Sequence, residues 1–315
     1  MALLECISLA DGKTIQNPKP SVVCLGNFDG VHIGHRALFE TAKKLRAHLG
    51  MQVATAVLCF RKPSTDFLSS KQPAHLCTLE QKLRLFGELG MDYAYLIDFP
   101  TIRTLSPAAF ANDIIHDACR ASAVVCGFNY RFGAGGKGTP DDLKVLLGIE
   151  VAVQDEIRLD GETVSSTRIR NLLSKGNAAD AARLLSRPYS ICAEVVHGKA
   201  LGKSWGFPTI NQSFPKNMLI PRHGVYLTDC EIDGIHYRGI TNVGTRPTVD
   251  SDAAVNCETH VLDFSEDIYG RFVTVSFLEY LRPERRFETE DALREQIEQD
   301  VQAARSRPIP REGSV

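Results

Sequence analysis

The sequence predicts an α/β domain with a parallel sheet, followed by a smaller antiparallel β domain. Three observations carry that expectation. The chain has 315 residues, long for one compact domain. Up to residue 186, short continuous apolar runs alternate with stretches of helical period. From residue 187 onward strand patterns dominate, with a tight-turn signal between two of them. The expected domains are therefore 1–186 and 187–315.

In the first half, "SVVCLG" (21–26) is unbroken in its apolarity, as a parallel strand covered on both faces should be. The next stretch sets Leu38, Ala42, Leu45 and Leu49 on one helical face. Residues 52–60 predict a second strand, 78–90 a helix and 93–99 a third strand. Ser106 and Pro107 open a helix over 106–119 as cap and first-turn residue. Strands over 123–128 and 150–157 and a helix over 177–186 complete the half, with Pro188 as a stop. Strands alternating with helices of this length imply right-handed crossovers.

In the second half, "SICAEVVHG" (190–198) alternates, and Asp233-Gly234 joins two strand-like runs within 224–244, a hairpin signal. Residues 254–264 and 271–281 give two further strands. A closing helix over 289–305 carries Leu293, Ile297, Val301 and Ala304 along one side. The tail from 306 has no core-forming pattern and is expected to be mobile.

Composition narrows the class. Apolar residues at 43% and charged residues at 23% describe a soluble protein with a substantial core. A net charge of −2 argues against a nucleic-acid or anionic-membrane partner. No apolar run approaches the ~18 residues of a membrane span, and the start lacks a signal-peptide pattern. Nine cysteines are scattered singly, with no zinc-knuckle or redox spacing. They read as small apolar core residues of a cytoplasmic protein. Nothing in the pattern fixes an oligomeric state.

The run "LGNFDGVHIGH" (25–35) places His32 and His35 in a glycine-rich turn between a strand and a helix. Two imidazoles there can bind metal, act as acid and base, or hold phosphate. A zinc site needs further ligands, and the sequence offers no obvious set. Gly26, Gly30 and Gly34 are four apart, so a dinucleotide fingerprint is absent. Phosphate holding fits better, because strand, glycine turn and helix aim free N–H groups and a positive helix end at an anion.

"GNFDGVHIGH" resembles the H-x-G-H region of the nucleotidylyltransferase superfamily. Its context is similar to the bacterial bifunctional riboflavin kinase/FAD synthetase family, with "LSPAAFA" (105–111), "CGFNYRFGAGGKGT" (126–139) and "VSSTRIR" (164–170) in the expected order. The resemblance implies a Rossmann-like first domain that transfers adenylyl from ATP to FMN, releasing pyrophosphate. It implies that His32 and His35 bind and neutralise ATP phosphates, with Gly26, Asn27, Phe28, Asp29 and Gly34 about the nucleotide. Asn129 would help position nucleotide and flavin, while Ser166, Thr167 and Arg170 would grip the triphosphate. The FMN phosphate has a second pKa of ~6 and is already ionised, so no base is needed.

"GKALGKS" (198–204) nearly reads as a P-loop, but only three residues separate Gly198 from Gly202, and Pro208 interrupts the helix such a loop requires. "HGKALGKSWGFPTIN" (197–211) instead resembles the glycine loop and P-T-x-N motif of riboflavin kinase, followed by "GVY" (224–226), "NVGTRPT" (242–248) and "ETHVLDF" (258–264). This half of the resemblance implies a six-stranded antiparallel barrel that phosphorylates riboflavin with ATP. Gly198, Gly202 and Gly206 would let backbone approach the nucleotide. Thr209 and Asn211 would sit around Mg²⁺, and Glu258 would be the general base. Glu258 shares a strand face with Asn256 and His260, while Val255, Cys257 and Val261 point the other way.

One segment departs from the family. After its second strand the chain reads "FRKPST" (60–65) where a Phe-x-Pro-His-Pro type segment is usual. Trp205 also replaces a smaller aliphatic residue. The expected function is riboflavin to FMN, then FMN to FAD. The rivals are a kinase with a degenerate first domain and a non-catalytic flavin- or nucleotide-binding regulator.

Overall fold

The computed structural model describes residues 4–9, 18–50, 52–62, 67, 74–198, 207–245 and 255–307. Packing divides the chain into two compact units, Met1–Pro73 with Thr78–Ser165, and Ala74–Cys77 with Ser166–Val315.

The first unit contains β1 (Glu5–Leu9), β2 (Ser21–Leu25), α1 (Ile33–Leu49), β3 (Ala54–Phe60), α2 (Leu79–Glu88), β4 (Tyr93–Ile97), α3 (Phe110–Ala118), β5 (Ala121–Gly127), α4 (Pro140–Leu147) and β6 (Glu150–Gln154). The sheet runs β1-β4-β3-β2-β5-β6 with every pair parallel. All five residues of β2 are buried, and their side chains divide between two cores. Val22 and Cys24 join Phe39 of α1 and Phe86 of α2, whereas Val23 and Leu25 join Phe110 and Ile114 of α3. That division explains an apolar run without alternation, since both faces are covered.

Helix starts follow their local chemistry. Thr78 and Gln81 form a reciprocal cap on α2, and Ser106 Oγ accepts from Ala109 N–H in the turn Pro107–Ala109 before α3. α3 itself is wound as a π-helix. The face expected for α1 ends early: Leu38, Phe39 and Ala42 are buried, but Leu49 is 43% exposed. The edge strand β1, the helix α4 and a hairpin of β7 (Arg158–Leu159) with β8 (Glu162–Thr163) were not expected.

The second unit contains α5 (Ser166–Ser174), α6 (Ala178–Leu185), β9 (Tyr189–Glu194), β10 (Ile210–Ser213), β11 (Gly224–Ile232), β12 (Ile235–Thr245), β13 (Val255–Val261), β14 (Phe272–Arg282) and α7 (Glu290–Ser306). Its strands form one antiparallel sheet in the order β10-β13-β12-β11-β14-β9. Just beyond β9, Val196 N–H donates to Asn211 O at 2.8 Å, which brings the two edges together as a nearly closed barrel. The Asp233-Gly234 turn has both φ angles positive, at 52° and 77°, the two-residue hairpin geometry. One face of β13 is turned inward, where Thr228, Thr241 and Thr259 link hydroxyls at 2.8 Å each.

Divided by packing, the chain parts at Ser165/Ser166, ahead of the pattern change at residue 187. The helices α5 and α6 stay with the barrel: α6 packs on β14 and β9, and Arg222 N–H donates to Leu173 O. On α7 the expected apolar side is only half right. Ala304 is buried, Leu293, Ile297 and Val301 are half-buried, and Gln296 and Asp300 take buried positions beside them. The reason is Arg282, whose guanidinium bonds both Asp300 oxygens while Gln296 Nε2 donates to Oδ1. Seven of the nine cysteines are buried and all are free. Burial pushes the Cys24, Cys119 and Cys230 thiols up, so they stay protonated core residues.

Two candidate active sites

The chain runs outward from β2 through β3 to β4, then returns to β5 on the other side of β2. Loops leaving the carboxyl ends of β2 and β5 therefore diverge, and that divergence is where open α/β sheets bind ligands. His32 follows β2 and Asn129 follows β5, in strands paired Leu25 to Cys126.

Three left-handed stations within four residues shape the first loop: Phe28 (φ 50°), Gly30 (φ 80°) and Val31 (φ 44°). Such conformations cost about 1–3 kcal/mol for non-glycine residues and persist only when packing holds them. Here Phe28 and Val31 are fully buried, and the Phe28 ring packs 5.3 Å from Phe39 and 5.7 Å from Phe86. Phe28 thus lies in the core. Its ring anchors the loop from the core side and lies against Gly26, where a Cβ would come within 3.1 Å of it.

His32 caps α1: its Nδ1 accepts from His35 N–H at 3.3 Å, which puts the ring proton on Nε2. The two imidazoles stack with centroids 3.6 Å apart and planes 14° apart. Gly34 makes room for this, because a Cβ there would lie 3.1 Å from the His32 ring. No acidic residue occupies the first turn of α1, which leaves that turn without a carboxylate of its own at the positive helix end. Asn129 is exposed beyond β5, in a loop where Ala134 N–H donates to Leu105 O and Gly133 abuts Pro107. "LSPAAFA" and the glycine loop are thus one packed structure.

Sequence reasoning missed Lys82. It is 4% exposed, and its Nζ donates to Asn27 O at 3.0 Å. The signal was present, since Lys82, Leu85 and Phe86 share the buried face of α2. In the divergent segment, Arg61 bonds Ser8 Oγ and lies 3.8 Å from Asp98, so its guanidinium serves the sheet edge. Residues 63–65 lie outside the described residues.

Ser166, Thr167 and Arg170 stand in the first turns of α5, in the second compact unit. Arg170 Nε donates to Ala74 O at 2.7 Å.

The second cluster is on the outer face of the barrel. Asn211 of β10 and Glu258 of β13 are direct cross-strand partners. Asn256 lies two residues before Glu258 on the same face, and its Nδ2 donates to Asn211 Oδ1 and to Glu258 Oε1, each at 3.0 Å. A Cβ at Gly198 would overlap the Asn211 amide, so glycine is required there. His260 Nδ1 lies 2.9 Å from Pro208 O, tying β13 to the segment that carries Thr209. On the reverse face, burial pushes the Cys257 thiol up to about 12, against a smaller opposing effect of the Thr259 hydroxyl. Gly202, Gly206 and Trp205 lie outside the described residues.

Residues 14–168 match the family model for FAD synthetase, and residues 185–307 match that for riboflavin kinase. A bifunctional riboflavin kinase/FMN adenylyltransferase of Listeria monocytogenes is 36% identical over 290 residues, covering 90% of this chain and 91% of its own. The chain belongs to the bifunctional riboflavin kinase/FMN adenylyltransferase family. Family membership makes it a transferase of two kinds, a kinase and a nucleotidyltransferase. The Pseudomonas fluorescens member is 37% identical over 294 residues, covering 92% of this chain and 93% of its own. A solved Streptococcus pneumoniae structure, described as a macrolide-efflux protein, is 33% identical with a TM-score of 0.89, covering 97% of this chain and 100% of that one. Among the described residues, no helix is long and apolar enough to cross a membrane.

Proposed function

We propose that the barrel cluster phosphorylates riboflavin and that the His32–His35 loop serves adenylyl transfer to the FMN so formed. The observation that carries this reading is that each family segment contains one built cluster suited to its own nucleophile. Functionally, the adenylyltransferase is assigned to 1–186, because "VSSTRIR" belongs to it by motif, and the kinase to 187–315.

In the kinase step Glu258 removes the proton of the ribityl 5′-hydroxyl as that oxygen attacks the γ-phosphorus of ATP. ADP leaves. Base catalysis of this kind contributes about 10²–10⁴-fold. Asn211 pairs across from Glu258, and with Thr209 two residues before it on the same extended segment offers amide and hydroxyl oxygens, a hard set that suits Mg²⁺. Among the described residues no three His, Cys, Asp or Glu side chains cluster as a metal cage. Mg²⁺ arriving with the nucleotide phosphates would be held on its protein side by Thr209 and Asn211. When bound, it supplies charge neutralisation at the transferring phosphoryl group.

In the second step an FMN phosphate oxygen attacks the α-phosphorus of ATP and pyrophosphate leaves. His32, with its Nε2–H, and His35 neutralise phosphate charge beside the N–H groups opening α1. Gly26, Asn27, Asp29 and Gly34 form the surrounding run, and Asn129 orients the flavin nucleotide. Ser166, Thr167 and Arg170 serve the same reaction by motif. Riboflavin, FMN and ATP are the substrates, and the free cysteines suit the cytoplasm.

Pure protein incubated with riboflavin, ATP and Mg²⁺ is expected to yield FMN and then FAD on chromatography. Failure to form either overturns the reading. FMN supplied directly separates the bifunctional enzyme from a kinase with a silent first domain, because only the former consumes it.

A further inference from the structure

We propose that Asn256 is a positioning residue of the kinase step, one amide group that sets both the base and the cation-side oxygen. The inference rests on the assignment of Glu258 and Asn211 given above. Asn256 is 8% exposed, opposite Ser213 of β10 and Gly244 of β12. An amide NH₂ has two hydrogens, and here each has its own acceptor, Asn211 Oδ1 and Glu258 Oε1. Only the nitrogen end of Asn256 suits these partners, since a carboxylate accepts and does not donate.

Two consequences follow for the chemistry. The bond to Oδ1 fixes which way the Asn211 amide is turned, so its oxygen lies toward β13 and its nitrogen toward Gly198. An amide turned the other way would offer a cation two hydrogens instead of a lone pair. The second bond holds Glu258 by one oxygen in one rotamer, which is the preorganisation a base needs before substrate arrives. Because one group serves both, base orientation and cation affinity are coupled through a single side chain.

Isosteric replacement separates this role from packing. Asn256→Asp keeps the shape but presents oxygens to two oxygens, whereas Asn256→Ala removes the group. Steady-state FMN formation is measured for both variants across Mg²⁺ concentrations, with thermal melts to correct for folded fraction. The expected kcat order is wild type above Asn256→Ala above Asn256→Asp, with Ala about 10- to 100-fold down, a part of what the base itself supplies. The Mg²⁺ concentration for half-activation is expected to rise several-fold in both, while FMN supplied directly is still adenylylated. Wild-type kcat and Mg²⁺ dependence in Asn256→Asp, or Ala worse than Asp, overturns the inference. Glu258→Gln is run alongside: if it turns over normally, the site assignment itself has failed, and if it is dead while Asn256→Asp is normal, only the role of Asn256 has.

Discussion

On the proposed assignment the two clusters handle the same cosubstrate on opposite kinds of backbone. The first is a loop wound through left-handed stations at Phe28, Gly30 and Val31, ending in stacked imidazoles on a helix start. The second is a strand face where Asn256 and Glu258 of β13 meet Asn211 of β10. The attacking groups account for the contrast. An FMN phosphate arrives charged, so its site has to gather N–H donors and positive charge, which a turn into a helix supplies. A ribityl alcohol arrives neutral, so its site must hold a carboxylate in place, and a strand ladder fixes side-chain directions well.

The largest expected effect breaks one side of that comparison. Glu258→Gln should reduce FMN formation by about 10²–10⁴-fold while adenylylation of supplied FMN continues. Assaying both reactions on one preparation checks this, because the intact reaction shows that the protein is folded. Equal loss of both would mean that the chemistry is not divided as described.

The mirror experiment is His32→Ala. It removes the Nδ1 cap on α1 together with the proposed phosphate donor. FAD formation is expected to fall by about 10²-fold or more, the scale of one lost transition-state donor. Riboflavin phosphorylation should not change.

The sequence made the broad division legible because the physics there is periodic. "SVVCL" had to be covered on both faces, and the Asp233-Gly234 turn could hardly be anything but a hairpin. His32, His35 and Glu258 stood out by motif. What stayed hidden has no period or is set by partners distant in sequence. β1 is a five-residue edge strand, and only pairing with β4 identifies it. The Gln296–Asp300–Arg282 group displaced the expected side of α7 because the half-buried Arg282 of β14 draws the buried Asp300 carboxylate to it, against the apolar spacing on the helix. Asn256 was visibly on the face of Glu258, yet its bond to Asn211 depends on how β10 and β13 align.

Lys82 sharpens the comparison from beneath the loop. Its ammonium is buried and bonds the Asn27 carbonyl, so it holds the strained turn from the core side. Lys82→Met keeps the apolar stem and loses one charged-donor bond, worth about 1.5–3 kcal/mol. FAD formation should fall about tenfold with kinase activity retained. Lys82→Arg, unable to match a single buried carbonyl with its planar fork, should not restore it.

The smallest expected effect sets stability against activity at Gly34. Alanine in a helix is favoured over glycine by about 0.5–1 kcal/mol. Gly34→Ala therefore gains on the α1 backbone, yet its Cβ would lie 3.1 Å from the His32 ring, which has to yield by a few tenths of an ångström. On the proposed assignment a shift of that size would move Nε2 off the phosphate and cost about threefold in turnover, since reacting groups tolerate little misplacement. The variant is expected to melt no lower than wild type while making FAD more slowly. Unchanged FAD synthesis would show that the imidazole can move without loss, and charge alone, rather than placed charge, would then describe the loop.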